Sequence, residues 1–171
     1  MSILTPSEAR ILARPIGQFV ADNKLQAYID EVEVTHFAPI FGDPLMLKLQ
    51  DPQIAVTEPY LTLLKGGTYV VNGNLKAITG LKKAIAYAVY CRLLQSGDVE
   101  STRYGNVVKR GEYSEHVSQS VLAKVVGECA EVEQRLTKQC VVYCKAYKLI
   151  ECRTSGNGIF IGGAQIKKIS Q

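Results

Sequence analysis

The sequence predicts a mainly α protein: a small helical bundle with one long C-terminal helix, a short β-hairpin insertion and an extended C-terminal tail. Three observations carry that expectation. All six prolines fall at or before Pro59, so long uninterrupted elements can only form after it. Apolar residues recur at three- and four-residue steps over two later stretches, as they do along the buried side of a helix. Between them, Asn72-Gly73 separates two β-prone runs, which is the strongest short-range signal for a tight hairpin.

The first elements are short. Thr5-Pro6-Ser7-Glu8 reads as a helix start, with Thr5 as cap, Pro6 at the first helical position and Glu8 completing a capping box. Pro15 and Gly17 stop that helix after about two turns. Asp22 is expected to cap a second helix running to about Phe37, with Leu25, Tyr28, Ile29, Val32 and His36 on its apolar side. Pro39, Gly42 and Pro44 punctuate a helical bend, followed by Leu45, Leu47 and Leu49. The hairpin is expected over about 66–79, from Thr68-Tyr69-Val70-Val71 through Asn72-Gly73 to Leu75–Thr79. An isolated two-stranded hairpin is marginal in water, so it must lie on a helix or on a neighbouring subunit.

Two strong helices follow. One runs from Gly80 to about Ser96, with Leu81, Ile85, Ala88, Val89, Cys91 and Leu94 on its apolar side and Gly97 as terminator. The other is expected from about Ser118 to Glu151, with Leu122, Val125, Cys129, Val132, Leu136, Cys140, Tyr143, Tyr147 and Ile150 as its stripe. Unbroken, it would reach about 50 Å. That is longer than a domain of this size is wide, so part of it should pack beyond its own chain. Gly127 within it reads as a bend or a close crossing. The two stripes are expected to pack against each other. Between these helices, residues 98–117 form a polar connection too long for a simple turn. The domain is expected to span 1–153, with 154–171 as an extended arm.

Composition bounds the function. A chain of 171 residues with 47% hydrophobic and 21% charged residues has the make-up of one globular domain. No apolar run approaches the roughly 18 residues of a membrane span. The N-terminal MSILTPSEARIL lacks a basic region followed by an apolar core, so no secretion signal is read and synthesis in the cytoplasm is expected. The net charge of +4 is uneven: residues 1–60 hold four basic and eight acidic side chains, the remainder sixteen and eight. Such asymmetry suits a nucleic-acid surface or an oppositely charged neighbour. No run of four consecutive basic residues supports sequence-specific DNA reading.

Catalytic signals are weak. There is no GxGxxG, GxxxxGK[ST], HExxH or GxSxG pattern. His36 with Asp43 is a candidate acid–base pairing, but two histidines in a chain of this length are more often structural. Catalytic residues, cofactors and metals are therefore each expected to be none. The five cysteines, Cys91, Cys129, Cys140, Cys144 and Cys152, are odd in number and too sparse for a disulfide scaffold. Cys140 and Cys144 share a helix face. A zinc site would need four ligands at suitable spacing, so small hydrophobes on a core stripe are the favoured reading over a metal pair. The tail TSGNGIFIGGAQIKKISQ sets two glycine clusters around Ile159-Phe160-Ile161 and ends with basic residues. Strand addition to another chain's sheet would order it, the other reading being that it folds back as a hairpin on its own domain.

Residues 64–118 carry a resemblance. LLKGGTYVVNGNLKAITGLKKAIAYAVYCRLLQSG followed by STRYGNVVKRGEYSEHVS resembles the head–tail connector, or adaptor, proteins of tailed bacteriophages. The likeness is to a family in phages and prophages of Bacteroidetes, akin to the ring proteins of crAss-like phages. Its features are Gly66-Gly67-Thr68-Tyr69, Gly80-Leu81, Thr102-x-x-Gly105 and Glu112-Tyr113-Ser114-Glu115, over about a third of the chain. The resemblance implies a non-enzymatic ring subunit of the virion, typically in twelve copies. Such a ring binds the portal protein above and a stopper or tail-completion protein below, and DNA passes through it non-specifically; no membrane is involved. The expected partner-binding arm is Ile159, Phe160, Ile161, Ile166, Lys167 and Lys168. Arg103, Tyr104, Lys109, Arg110 and Tyr113 are expected to face the lumen or a neighbour. The alternative is a nucleic-acid-binding regulatory protein, and a third option is a metal or redox domain built on the cysteines.

Overall fold

The structure, a computed structural model, describes residues 2–16, 20–96, 99–102, 105–108 and 119–150, with backbone alone at 99–102, 105–108 and 119. The described chain is mainly helical, with a small antiparallel hairpin and a long C-terminal helix, as the sequence predicts. Helix α1 spans Pro6–Leu12, and the Thr5–Glu8 capping box forms: the Glu8 N–H donates to Thr5 Oγ1 at 3.3 Å and the Thr5 N–H to Glu8 Oε2 at 3.1 Å. Helix α2 spans Asp22–Val32. Its cap is Ala21, which offers no side-chain acceptor. Asp22, expected as the cap, is instead the first helical residue, and its carboxylate holds Arg10 at 2.7 Å.

The helix continues as a π-helical stretch over Glu33–Phe37 and then as α3 over Ala38–Phe41. Pro39 has no N–H to continue the α pattern, and the chain widens just before it. The wide turn places both Glu33 and Phe37 in the core. His36, expected on the apolar side, is half exposed. Glu33 Oε1 accepts from the backbone N–H groups of Ile3 at 2.8 Å and Leu4 at 3.1 Å, while its second oxygen takes Gln50 at 3.4 Å. A buried carboxylate thus ties down the extended segment ahead of α1. Burial raises the Glu33 pKa against the lowering effect of those hydrogen bonds.

Helices α4 (Asp43–Gln50), α5 (Pro52–Ala55) and α6 (Tyr60–Lys65) form the bend. Leu45 and Leu49 are buried and Leu47 is exposed, as an α4 helix one side of which faces the core requires. The hairpin follows, β1 (Gly67–Val71) pairing antiparallel with β2 (Asn74–Ile78), Gly67 opposite Ile78 and Val71 opposite Asn74. Asn72 and Gly73 have φ of 52° and 76°, the left-handed pair that a two-residue turn needs.

Helix α7 (Leu81–Ser96) is the centre of the molecule. It packs on α1, α2, α6 and, most extensively, α8 (Gln119–Ala146). Ala84 and Ala86 are buried along with Leu81, Ile85 and Val89, so it is enclosed on more than the single stripe expected. One hydrophobic core runs from Ile3 to Cys144 and includes Leu136, Cys140 and Tyr143 of α8. Helix α8 has 28 residues, about 42 Å, and ends earlier than expected. The Leu149 N–H reaches back to the Cys144 carbonyl at 2.8 Å and Lys148 to Lys145 at 3.3 Å, with Lys148 left-handed at φ 54°. This is a Schellman ending with lysine in the place glycine usually takes. Tyr147 and Ile150 therefore lie past the helix.

The connection expected to be a polar loop carries a second antiparallel pair, β3 (Val99–Thr102) with β4 (Gly105–Val108), Thr102 opposite Gly105. No Asn-Gly or similar dipeptide announces it in the sequence. Gly127 does not mark a close crossing: a Cβ added there would meet nothing within 4 Å.

Gly66 and Gly80 are different. Both have left-handed φ (89° and 102°), and they sit back to back where the hairpin leaves and rejoins the helices. A Cβ on Gly80 would lie 2.7 Å from the Gly66 nitrogen and the Leu64 carbonyl oxygen; one on Gly66 would lie 2.5 Å from the Thr79 oxygen. Gly80→Ala should destabilise the protein by about 1–3 kcal/mol from the backbone conformation alone, with the clash adding to it. Gly127→Ala, on an open helix surface, should stabilise by about 0.5–1 kcal/mol. Urea denaturation of the two variants tests both signs together.

Candidate functional site

The hairpin is the surface that the fold builds with most care. Tyr69 on β1 is 6% exposed, and its ring meets Tyr143 of α8 edge-on with centroids 4.8 Å apart. Tyr147 completes the cluster, 4.6 Å from Tyr143 and 6.2 Å from Tyr69. Edge and tilted geometries of this kind match the quadrupoles of the rings. The Tyr143 hydroxyl, at the edge of the core, donates to the Pro59 carbonyl at 2.9 Å, after the cis Glu58–Pro59 bond. Thr79 at the exit of β2 donates to Gln139 Oε1 of α8 at 3.1 Å. The ribbon is thus held to α8 by aromatic rings at its middle and a hydrogen bond at its base.

Alternation along the strands gives the ribbon two faces. Tyr69 and Ile78 are buried towards the helices. Val70 and Leu75, paired across the strands, point away and are 60% and 72% exposed. An apolar cross-strand pair in water, on a ribbon whose outer edges pair with no further strand among the described residues, is a surface suited to partners.

On the helix side, β2 and α8 bound an open cleft of about 470 Å³. Lys76 and Ala77 line it from the strand, Arg135, Lys138 and Gln139 from the helix, and Tyr69 forms part of its floor. A second cleft of about 520 Å³ lies by Glu58, Thr62, Thr68, Tyr143 and Tyr147.

The other polar constellation joins His36 to α8. His36 Nε2 lies 3.1 Å from Glu133 Oε1, which also accepts from the Thr137 hydroxyl at 2.6 Å. Glu133 is 7% exposed at its side chain. His36 therefore pairs with Glu133 and not with Asp43. The hydrogen bond to Glu133 raises the His36 pKa above 6.5, partly opposed by burial. Because the folded value exceeds the unfolded one, the pair stabilises the fold below about pH 6.5, and this contribution is lost as pH rises through the folded-state value. The melting temperature of the wild type should exceed that of His36→Gln at pH 6, with the gap closing by pH 9. Glu33 titrates in both proteins, so the difference isolates the histidine. A gap that widens with pH would contradict this.

Three of the four cysteines among the described residues are buried packing residues, and Cys152 lies outside the described residues. Cys129, Cys140 and Cys144 are fully buried, and Cys140 and Cys144 belong to the hydrophobic core. Burial pushes the Cys140 and Cys144 thiols up to about 12, and burial followed by the neighbouring Cys129 does the same to Cys91. Among the described residues no group of three or more His, Cys, Asp and Glu side chains is placed to hold a metal. With so little thiolate, Cys140 and Cys144 should resist a thiol reagent such as N-ethylmaleimide at pH 7.5 in the native protein and react at once in guanidinium. Mass mapping of the labelled peptides reads this out, and native labelling at either position would overturn it.

The expected arm residues Ile159, Phe160, Ile161, Ile166, Lys167 and Lys168 lie outside the described residues, as do Arg103, Tyr104, Lys109, Arg110 and Tyr113. Sequence reasoning found the hairpin but not its pairing with the α8 tyrosines, nor the cations that line the cleft. The signal available was the absence of acidic residues: none occurs in 59–97 or in 134–150. No described helix is long and apolar enough to cross a membrane.

Residues 37–150, more than half of the chain, match a family described as a family of unknown function, DUF6712. The chain belongs to that family. The match begins at the end of the π-helical stretch and takes in the hairpin, α7, the β3–β4 pair and α8. No curated protein and no solved structure matches the chain.

Proposed function

We propose that the chain is a structural, non-catalytic subunit of an oligomeric ring that joins a phage portal to the tail or to a stopper, extending the channel for DNA. The observation that carries this reading is the hairpin. It is fixed to the long helix from one side, and from the other it presents Val70 and Leu75 to solvent, with strand edges that pair with no further strand among the described residues. A surface of that kind suits contact with another copy of the chain or with the next layer of an assembly. The resemblance over residues 64–118 centres on the same segment. A heterologous contact between copies closes into a ring when its rotation allows.

The test is assembly. The wild-type chain, mixed with the portal protein of the same phage or prophage, should give ring-shaped particles by negative-stain microscopy and a mass of many subunits by light scattering. Val70→Asp with Leu75→Asp should keep the melting temperature, since both side chains are solvent-facing, and should lose the particles. A wild-type chain that stays a single subunit and does not bind the portal would overturn the reading.

A further inference from the structure

We infer that the cleft between β2 and α8 is a binding site for the phosphodiester backbone of nucleic acid, with Lys76, Arg135 and Lys138 as its phosphate-holding side chains. The argument begins with where these cations sit. Arg135 and Lys138 are three apart on α8, so they project from one side of the helix. Lys76 reaches the same cleft from β2, whose position over α8 is fixed by the tyrosine cluster and by the Thr79–Gln139 hydrogen bond. Three cations from two rigid elements therefore converge on one open groove. An open cleft suits a chain lying across it better than a small enclosed ligand.

The electrostatics favour an anion that the protein does not itself supply. Among the ion pairs of the described residues, none engages Lys76, Arg135 or Lys138. Elsewhere some basic side chains are used within the fold, Arg10 on Asp22, Lys82 on Glu8 at 2.6 Å and Arg92 on Glu31. Lysines such as Lys24, Lys48 and Lys124 also make no ion pair among those described; what sets the cleft apart is that three cations share it. Glu131, one turn before Arg135, makes no ion pair with it among those described. Glu133 is buried and committed to His36 and Thr137. Both walls of the cleft come from stretches without a carboxylate, 59–97 and 134–150. No carboxylate lines the cleft, and a guanidinium fork together with two ammonium groups on one groove is a set of donors that phosphates satisfy.

Apart from the cations, the cleft offers Ala77, Val142, Gln139 and part of the Tyr69 ring. These can accommodate sugar and backbone but supply no set of donors and acceptors for reading base edges. Binding should accordingly be independent of sequence and strongly dependent on salt. The inference stands on the cleft and holds or fails independently of the ring reading.

The experiment measures binding of the full chain to a short fluorescently labelled DNA duplex of arbitrary sequence across a sodium chloride series. Three phosphate contacts at about 0.9 each predict a slope of log affinity against log salt near −2.7. Lys76→Gln, Arg135→Gln and Lys138→Gln together should remove most of that slope, and each alone should reduce it by about one. The single variants keep the test decisive if the triple variant folds poorly. Lys24→Gln, Lys48→Gln and Lys124→Gln together change the net charge equally and should leave the slope unchanged. Equal losses in the two triple variants would reduce the effect to net charge and overturn the site. No binding by the wild type at the lowest salt would do the same. Displacement of the duplex by polyglutamate at equal charge would assign the cleft to an acidic protein segment instead, and would also overturn it. Ring assembly, read separately by light scattering, is unaffected by any of these outcomes.

Discussion

A helix that is apolar nearly all the way round cannot rest on the surface of a protein in water, and α7 is such a helix. Its middle, Ala84-Ile85-Ala86-Tyr87-Ala88-Val89-Tyr90-Cys91, leaves no continuous polar side. The rest of the fold is arranged to cover it. Helices α1, α2 and α6 take some sides and α8 takes the most extensive one. The alanines let neighbouring backbones approach closely, while leucine and valine fill the gaps between them. The ion pairs that link this shell to α7, from Glu8 to Lys82 and from Glu31 to Arg92, are at the surface and add little energy. They fix orientation around a core whose stability comes from burial.

Covering α7 also determines where the hairpin can go. The chain enters β1 from α6 and leaves β2 straight into α7, so both ends of the ribbon are pinned to packed helices. Gly66 and Gly80 make this possible, since Gly80 approaches the Leu64–Gly66 backbone and Gly66 the Ile78–Thr79 backbone more closely than a side chain would allow. The ribbon then has one direction available, over the C-terminal half of α8, where Tyr143 and Tyr147 receive Tyr69. A two-stranded sheet that would be marginal by itself becomes a rigid feature.

Much of this was legible in the sequence because the signals are local. The capping box at Thr5–Glu8, the Asn72-Gly73 turn, the two long apolar stripes and the confinement of proline to the first 59 residues each act over a few residues. What the sequence hid depends on distant partners. Glu33 looks like an ordinary helical acid, and only its two backbone donors at Ile3 and Leu4 explain its burial. The end of α8 was misplaced because the left-handed residue that closes it is Lys148 and not glycine. The β3–β4 pair was missed because nothing at its turn position favours positive φ. The cleft was invisible because Lys76 is about sixty residues from Arg135 and Lys138, and only the folded hairpin brings them together.

The two faces of the ribbon carry different chemistry, and the period of two along a strand is what keeps them apart. Val70 and Leu75 point to one side, while Tyr69 and Lys76, one residue along each strand, belong to the other. An apolar contact made through the outer face leaves the basic cleft uncovered, and an anion in the cleft leaves the outer face free. The same separation explains why the cations are placed on the α8 side. There they stand over a helix segment with no carboxylate, so their charge persists into the groove instead of being spent on internal pairs. On the outer face they would flank an apolar pair and oppose its burial by any partner, because a charge removed from water without a counter-ion is costly. One short hairpin, anchored by two glycines and a tyrosine, in this way presents an exposed apolar surface and a basic surface without either compromising the other.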